Sequence, residues 1–124
     1  MNGYRILVID DAPEMAKTLS LRLATMGHEA SGVADPRKAV EAARAFQPGV
    51  VLVDIGMRHI DGYELCSLLR EALGPPRVRI VAVTAWTPTT DRAYWRAVGF
   101  DAHLLKPIDA ASLQATLDEL LQTR

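Results

Sequence analysis

The stretch that decides the fold is VVLVDIGMRHIDG, residues Val50 to Gly62. Its first four positions are aliphatic without any polar alternation, the pattern of a strand covered on both faces. The run then stops on a carboxylate, Asp54, before a glycine-bearing loop. The same ending recurs elsewhere. ILVIDD places Asp10 and Asp11 after Ile6–Ile9, IVAVT ends on Thr84, and HLLKP ends on Lys106. Four apolar runs therefore finish in polar, chemically capable residues.

Between these runs the period becomes helical. Pro13 sits at an early helical position, Met15, Leu19, Leu23 and Met26 follow at helical spacing, and Gly27 supplies a stop. Residues 28–34 read as an edge strand, and a helix from Asp35-Pro36 to about Ala45 ends at Gln47-Pro48-Gly49. Asp61 is a candidate N-cap for a helix with Leu65, Leu68, Leu69 and Ala72 on its apolar face. After the Gly74-Pro75-Pro76 break come a strand over Val78–Val83, a helix from Thr90 to Val98 closed by Gly99, and a strand over Ala102–Leu105. Leu113, Leu117, Leu120 and Leu121 mark the inner face of a last helix. Strand and helix alternate five times, which predicts a (βα)5 α/β fold: a doubly wound parallel sheet with crossover helices on both faces.

Bulk properties narrow the function classes. The chain has 124 residues, enough for one domain with a full core. Its 14 basic and 15 acidic residues balance to −1, which gives no basis for direct nucleic-acid binding. The single cysteine, Cys66, reads as a small buried filler, so no disulfide framework is expected. The aliphatic runs are far shorter than the roughly 20 residues of a membrane span, and the acidic pair arrives before a signal-peptide core can form. A cytoplasmic protein without a membrane segment is expected.

Ligands of open parallel sheets bind beyond the carboxyl ends of the strands. Asp10, Asp11, Asp54, Thr84 and Lys106 occupy those ends and should converge on one edge. Carboxylates about 5 Å apart repel by roughly 3 kcal/mol per pair at an effective dielectric near 20, so the cluster calls for raised pKa values or a bound cation. An oxygen-rich pocket suits Mg²⁺, which takes one or two carboxylates and brings in phosphate. Aspartate is a known nucleophile in phosphoryl transfer, and Lys106 and Thr84 supply a cation and a hydroxyl donor for phosphoryl oxygens.

With these residues in place, the chain resembles the response-regulator receiver domains of two-component signalling systems along essentially its whole length. The resemblance rests on DD at 10–11, DIGMRHIDG at 54–62, VTA at 83–85 and KP at 106–107, taken in order and at strand ends. It implies a flavodoxin-like sheet of strand order 2-1-3-4-5, with residues 1–124 as one receiver domain and no output domain. It also implies that Asp54 accepts a phosphoryl group from a phosphohistidine of a sensor kinase or phosphotransfer protein. Asp11 and Asp54 would hold Mg²⁺ with the Gly56 carbonyl, and Asp10 would act close by. Thr84 and Lys106 would contact the phosphoryl oxygens, and a cis bond is expected at Lys106-Pro107. Partners implied are the kinase or phosphotransfer protein, a downstream protein or fused output domain, and a second copy in a phosphorylation-dependent homodimer. The output surface would be the fourth helix, fifth strand and fifth helix.

Two positions depart from the common pattern. Arg58 stands where proline is frequent, so the loop loses a rigid element and gains a cation. His103 stands at the aromatic switch position that answers Thr84, which would make the switch sensitive to pH near the imidazole range. Trp86, Tyr94 and Trp95 around the fourth helix read either as core or as a docking surface. His28 has no partner at metal-ligand spacing, and His59 reads as an exposed loop residue.

Competing readings remain. Asp10 and Asp11 alone also suit an acidic helix start. A haloacid-dehalogenase-type phosphatase would want a second aspartate two residues after the nucleophile, where this chain has Gly56. A receiver-like interaction module that is never phosphorylated would have no use for a cluster of repelling acids.

Overall fold

The computed structural model describes residues 3–58, 60–74, 77–85 and 96–122. Five strands, β1 (Arg5–Ile9), β2 (Glu29–Val33), β3 (Val50–Asp54), β4 (Arg79–Thr84) and β5 (Ala102–Leu105), form one sheet. All pair in parallel, in the order β2-β1-β3-β4-β5. The helices are α1 (Pro13–Thr25), α2 (Ala39–Phe46), α3 (Gly62–Ala72), a helical stretch over 96–98 called α4, and α5 (Ala110–Gln122). The flavodoxin-like doubly wound fold is as expected. Most of the expected fourth helix from Thr90, together with His59, Trp86, Tyr94, Trp95 and the Leu121 side chain, lies outside the described residues.

Strand alternation divides the core into two layers. Leu7, Ile9, Val51, Val53, Ile80 and Ala82 pack toward α2 and α3, where Leu65, Cys66 and Leu69 meet them. Ile6, Val8, Val50, Leu52, Val81 and Val83 face the other way, toward Leu23 of α1 and Leu113, Leu117 and Leu120 of α5. Because both faces are covered, the three central strands are apolar at every position between their ends.

Local signals match the sequence where they are chemical. The Asp61 carboxylate accepts from the Tyr63 N–H at 2.9 Å and caps α3. Gly27 follows α1 with φ +98°, a conformation that favours glycine. The helix begun at Asp35-Pro36 opens as a tight 3₁₀ turn over Pro36–Lys38 before α2, with Asp35 accepting from the Arg37 N–H. Pro48 and Gly49 follow Gln47, which takes the left-handed conformation that ends α2.

Two apolar assignments need correction. Met15 is 46% exposed, and Ala16 takes the core position beside Leu23. The reason is close packing: α1 comes so near β2 that a Cβ on Gly32 would lie 2.9 Å from Ser20 Oγ and 3.1 Å from the Ala16 carbonyl oxygen, so the Ala16 side of the helix faces the sheet and glycine is needed at position 32. On α3, Leu68 is 39% exposed, and Cys66 fills the inner face instead. Burial pushes the Cys66 thiol up to about 11, so it is a packed apolar group and not a ready thiolate.

Candidate functional site

The strand ends meet at one edge. Asp54 closes β3 and Thr84 closes β4, Asp10 follows β1 directly, and Lys106 follows β5. Asp10, Asp54 and Thr84 are buried, while Asp11 and Lys106 are half-buried. One carboxylate oxygen from each of Asp10, Asp11 and Asp54 lies within 4.8 Å of the others. Lys106 Nζ sits between two of these acids, 3.4 Å from Asp10 Oδ2 and 3.3 Å from Asp54 Oδ2. Residues separated by up to 96 positions in the chain thus share one pocket.

Each acid is oriented by a main-chain N–H. Ala12 donates to Asp10 Oδ1 at 3.0 Å, Gly56 to Asp54 Oδ1 at 2.9 Å, and Arg58 to Asp11 Oδ2 at 2.8 Å. The loop that supplies the last two is itself tied down. Its Ile55 N–H donates to the Val83 carbonyl, and Met57 is buried in the core. On the far side the Lys106 N–H donates to the Thr84 carbonyl at 2.7 Å, which fixes the lysine against the end of β4. The Lys106–Pro107 bond is cis. His103 is half-buried on β5, its Cα paired with Ala82.

The electrostatics are unbalanced toward negative charge. Burial raises the Asp10 carboxyl above its ordinary value, and the Asp54 carboxylate adds to the rise. The Ala12 N–H and Lys106 oppose it only in part. Burial would lower Lys106, but the carboxylates of Asp54 and Asp10 outweigh it and hold the ammonium above its ordinary value. One cation facing three acids leaves about two negative charges uncompensated. An all-oxygen donor set with that deficit fits a hard divalent ion such as Mg²⁺.

Sequence reasoning identified the side chains but missed the three N–H donors, because main-chain direction leaves no residue signature. It also missed an apolar cavity of about 200 Å³ beside Asp10, Asp54 and Lys106, lined by Met15 and Leu19 of α1 and by Pro107 and Ile108. No sequence signal marks it, because helical periodicity points Met15 inward and the structure leaves it 46% exposed.

Comparison with known proteins gives a consistent picture. Residues 6–118 match the family model described as response regulator receiver domain. The chain is 36% identical over 121 residues to the transcriptional regulatory protein TcrA of Mycobacterium tuberculosis, covering 97% of this chain and 47% of TcrA. It is 34% identical over 111 residues to the DNA-binding response regulator MtrA of Mycolicibacterium smegmatis, covering 90% of this chain and 47% of that protein. The chain thus spans about half the length of the curated relatives it matches. Among solved structures, the chemotaxis protein CheY4 of Vibrio cholerae superposes with a TM-score of 0.86 at 25% identity, covering 95% of this chain and 98% of that one. The receiver domain of sensor histidine kinase PA1611 from Pseudomonas aeruginosa has a TM-score of 0.82 at 29% identity, covering 98% of this chain and 100% of that one. That structure holds a magnesium ion coordinated in its active site cleft.

Proposed function

The chain belongs to the response regulator receiver domain family of two-component signalling, and from that premise we propose that it is a phosphorylation switch whose acceptor is Asp54. The observation that carries the proposal is the lysine bridge: Lys106 Nζ lies within 3.4 Å of both Asp10 and Asp54, in the same pocket as Asp11. A carboxylate oxygen of Asp54 attacks the phosphorus of a phosphohistidine on a sensor kinase or phosphotransfer protein. The new O–P bond forms as the P–N bond breaks, and the leaving imidazole keeps the electron pair. The Gly56 N–H holds the other face of the acceptor in place during attack. Lys106 and the Thr84 hydroxyl then bind the phosphoryl oxygens, and Lys106 exchanges its contact with Asp54 for one with the phosphoryl group.

Asp10, Asp11, Asp54 and the Gly56 carbonyl would hold Mg²⁺, which neutralises charge as the phosphoryl group arrives. The movement of Thr84 toward phosphate draws His103 with it and changes the face formed by α4, β5 and α5. That face would meet a downstream protein, an output domain or a second copy of the chain. The 1–124 segment acts as one receiver domain in the cytoplasm, and its chemistry is confined to its own phosphorylation and dephosphorylation.

The test is to incubate the protein with Mg²⁺ and acetyl phosphate and record intact mass. A gain of one phosphoryl group, labile to base and absent in Asp54→Asn and in EDTA, is the expected result. Turnover of added phosphomonoesters would point to a phosphatase, and an unchanged mass to a module without this chemistry.

A further inference from the structure

Asp11 differs from its neighbours in how it is held. Asp10 and Asp54 each have a main-chain N–H and the Lys106 ammonium as partners. Among the described residues, the Asp11 carboxylate has one hydrogen bond, from the Arg58 N–H to Oδ2 at 2.8 Å. That bond spans 47 positions of sequence and joins the loop after β3 to the loop after β1. Its donor follows an anchored stretch, in which the Ile55 N–H donates to the Val83 carbonyl and Met57 is buried. The Arg58 side chain is exposed and borders a second, polar cleft with Asp11, Asp35 and Arg37. Arg37 is engaged there by both oxygens of Asp35.

We infer that Arg58 is a positioning residue of the acidic pocket: its main-chain N–H, which proline lacks, pre-orients the Asp11 carboxylate for a divalent cation. The bond occupies Oδ2 and leaves Oδ1 for a metal. It also fixes the side-chain rotamer before the ion arrives, so binding does not have to order it. The guanidinium works in the opposite direction, because a cation at the cleft mouth repels a dication. Main chain and side chain of one residue therefore have opposite effects on affinity, and two substitutions separate them. The inference rests on reading Asp10, Asp11 and Asp54 as a Mg²⁺ site.

The experiment uses ¹⁵N-labelled full chain, with Mg²⁺ titrations followed by amide shifts and amide exchange read at residue 58. Arg58→Pro should weaken Mg²⁺ roughly three- to tenfold, the cost of ordering one side chain on binding. Arg58→Ala, which keeps the N–H, should bind equally or up to about threefold more tightly through loss of a screened repulsion. The Arg58 amide should exchange at least tenfold more slowly in the wild type than in Asp11→Ala. Wild-type affinity in Arg58→Pro, or an Arg58 amide equally fast in both backgrounds, overturns the inference and leaves the site reading standing. If Arg58→Pro does not fold, the exchange comparison decides alone. A wild type whose spectrum does not respond to Mg²⁺ overturns the site reading and this inference with it.

Discussion

Neutralising Asp11 should stabilise the metal-free protein, while neutralising Asp54 should leave it nearly unchanged. The difference follows from where Lys106 sits. At an effective dielectric near 20, two like charges at the 4.8 Å limit of the acidic cluster repel by about 3 kcal/mol, and opposite charges at 3.3 Å attract by about 5 kcal/mol. Asp54→Asn relieves two repulsions of about 3 kcal/mol and loses one attraction of about 5 kcal/mol, which nearly cancel. Asp11→Asn relieves the same two repulsions and loses no lysine contact. Its amide oxygen can still accept from the Arg58 N–H. Because Asp11 is half-exposed, solvent screens most of the gross figure, and a net gain of about 1–2 kcal/mol is expected. Urea unfolding at low ionic strength in EDTA reads this directly. Repeating it in Mg²⁺ should raise the midpoint of the wild type by ligand linkage and leave Asp11→Asn unmoved. An Asp11→Asn protein no more stable than the wild type in EDTA would refute the claim that the three acids strain one another in the folded state.

Three further outcomes can be checked by the same unfolding assay. Asp10 has its folded pKa raised, so its carboxylate opposes folding in full above that value, and the opposition fades as pH falls toward the unfolded value. Asp10→Asn should therefore exceed the wild type in stability in EDTA at pH 7, with the advantage shrinking steadily toward pH 4. Gly62→Ala places a Cβ 2.5 Å from Ile55 Cα, a backbone clash that should cost about 1–3 kcal/mol and disturb the loop beside Asp54. Asp101 accepts from Arg70, from Arg77 and from the Ile80 N–H, tying α3 to the turn before β5. Asp101→Ala leaves the Ile80 N–H without this acceptor and frees Arg77, while Arg70 keeps the Gly99 and Val78 carbonyls; it should cost about 2–3 kcal/mol of unfolding free energy, read as a lower urea midpoint at unchanged slope.

Much of the fold was legible because both of its codes are local. Uninterrupted aliphatics at Ile6–Ile9, Val50–Val53 and Ile80–Val83 mark strands covered on two sides, and Asp61 and Gly27 mark helix ends by hydrogen bonding and backbone freedom. The five site side chains were legible for the same reason, since each interrupts an apolar run. Met15 and Leu68 were misplaced because helical spacing describes a stripe about 100° wide and does not say where its edge falls. Where the edge falls on α1 goes with its close approach to β2 at Gly32, a tertiary contact that helical spacing alone does not carry. The donors at Ala12, Gly56 and Arg58 were invisible because every residue except proline carries one.

That last fact bears on how such a pocket can change over time. Since the carboxylates are aimed by peptide groups, the side chains at 12, 56 and 58 can be exchanged without re-aiming them, so long as an N–H remains. Evolution can thus repaint the rim with new charge, bulk or polarity while the acids beneath keep their bearings.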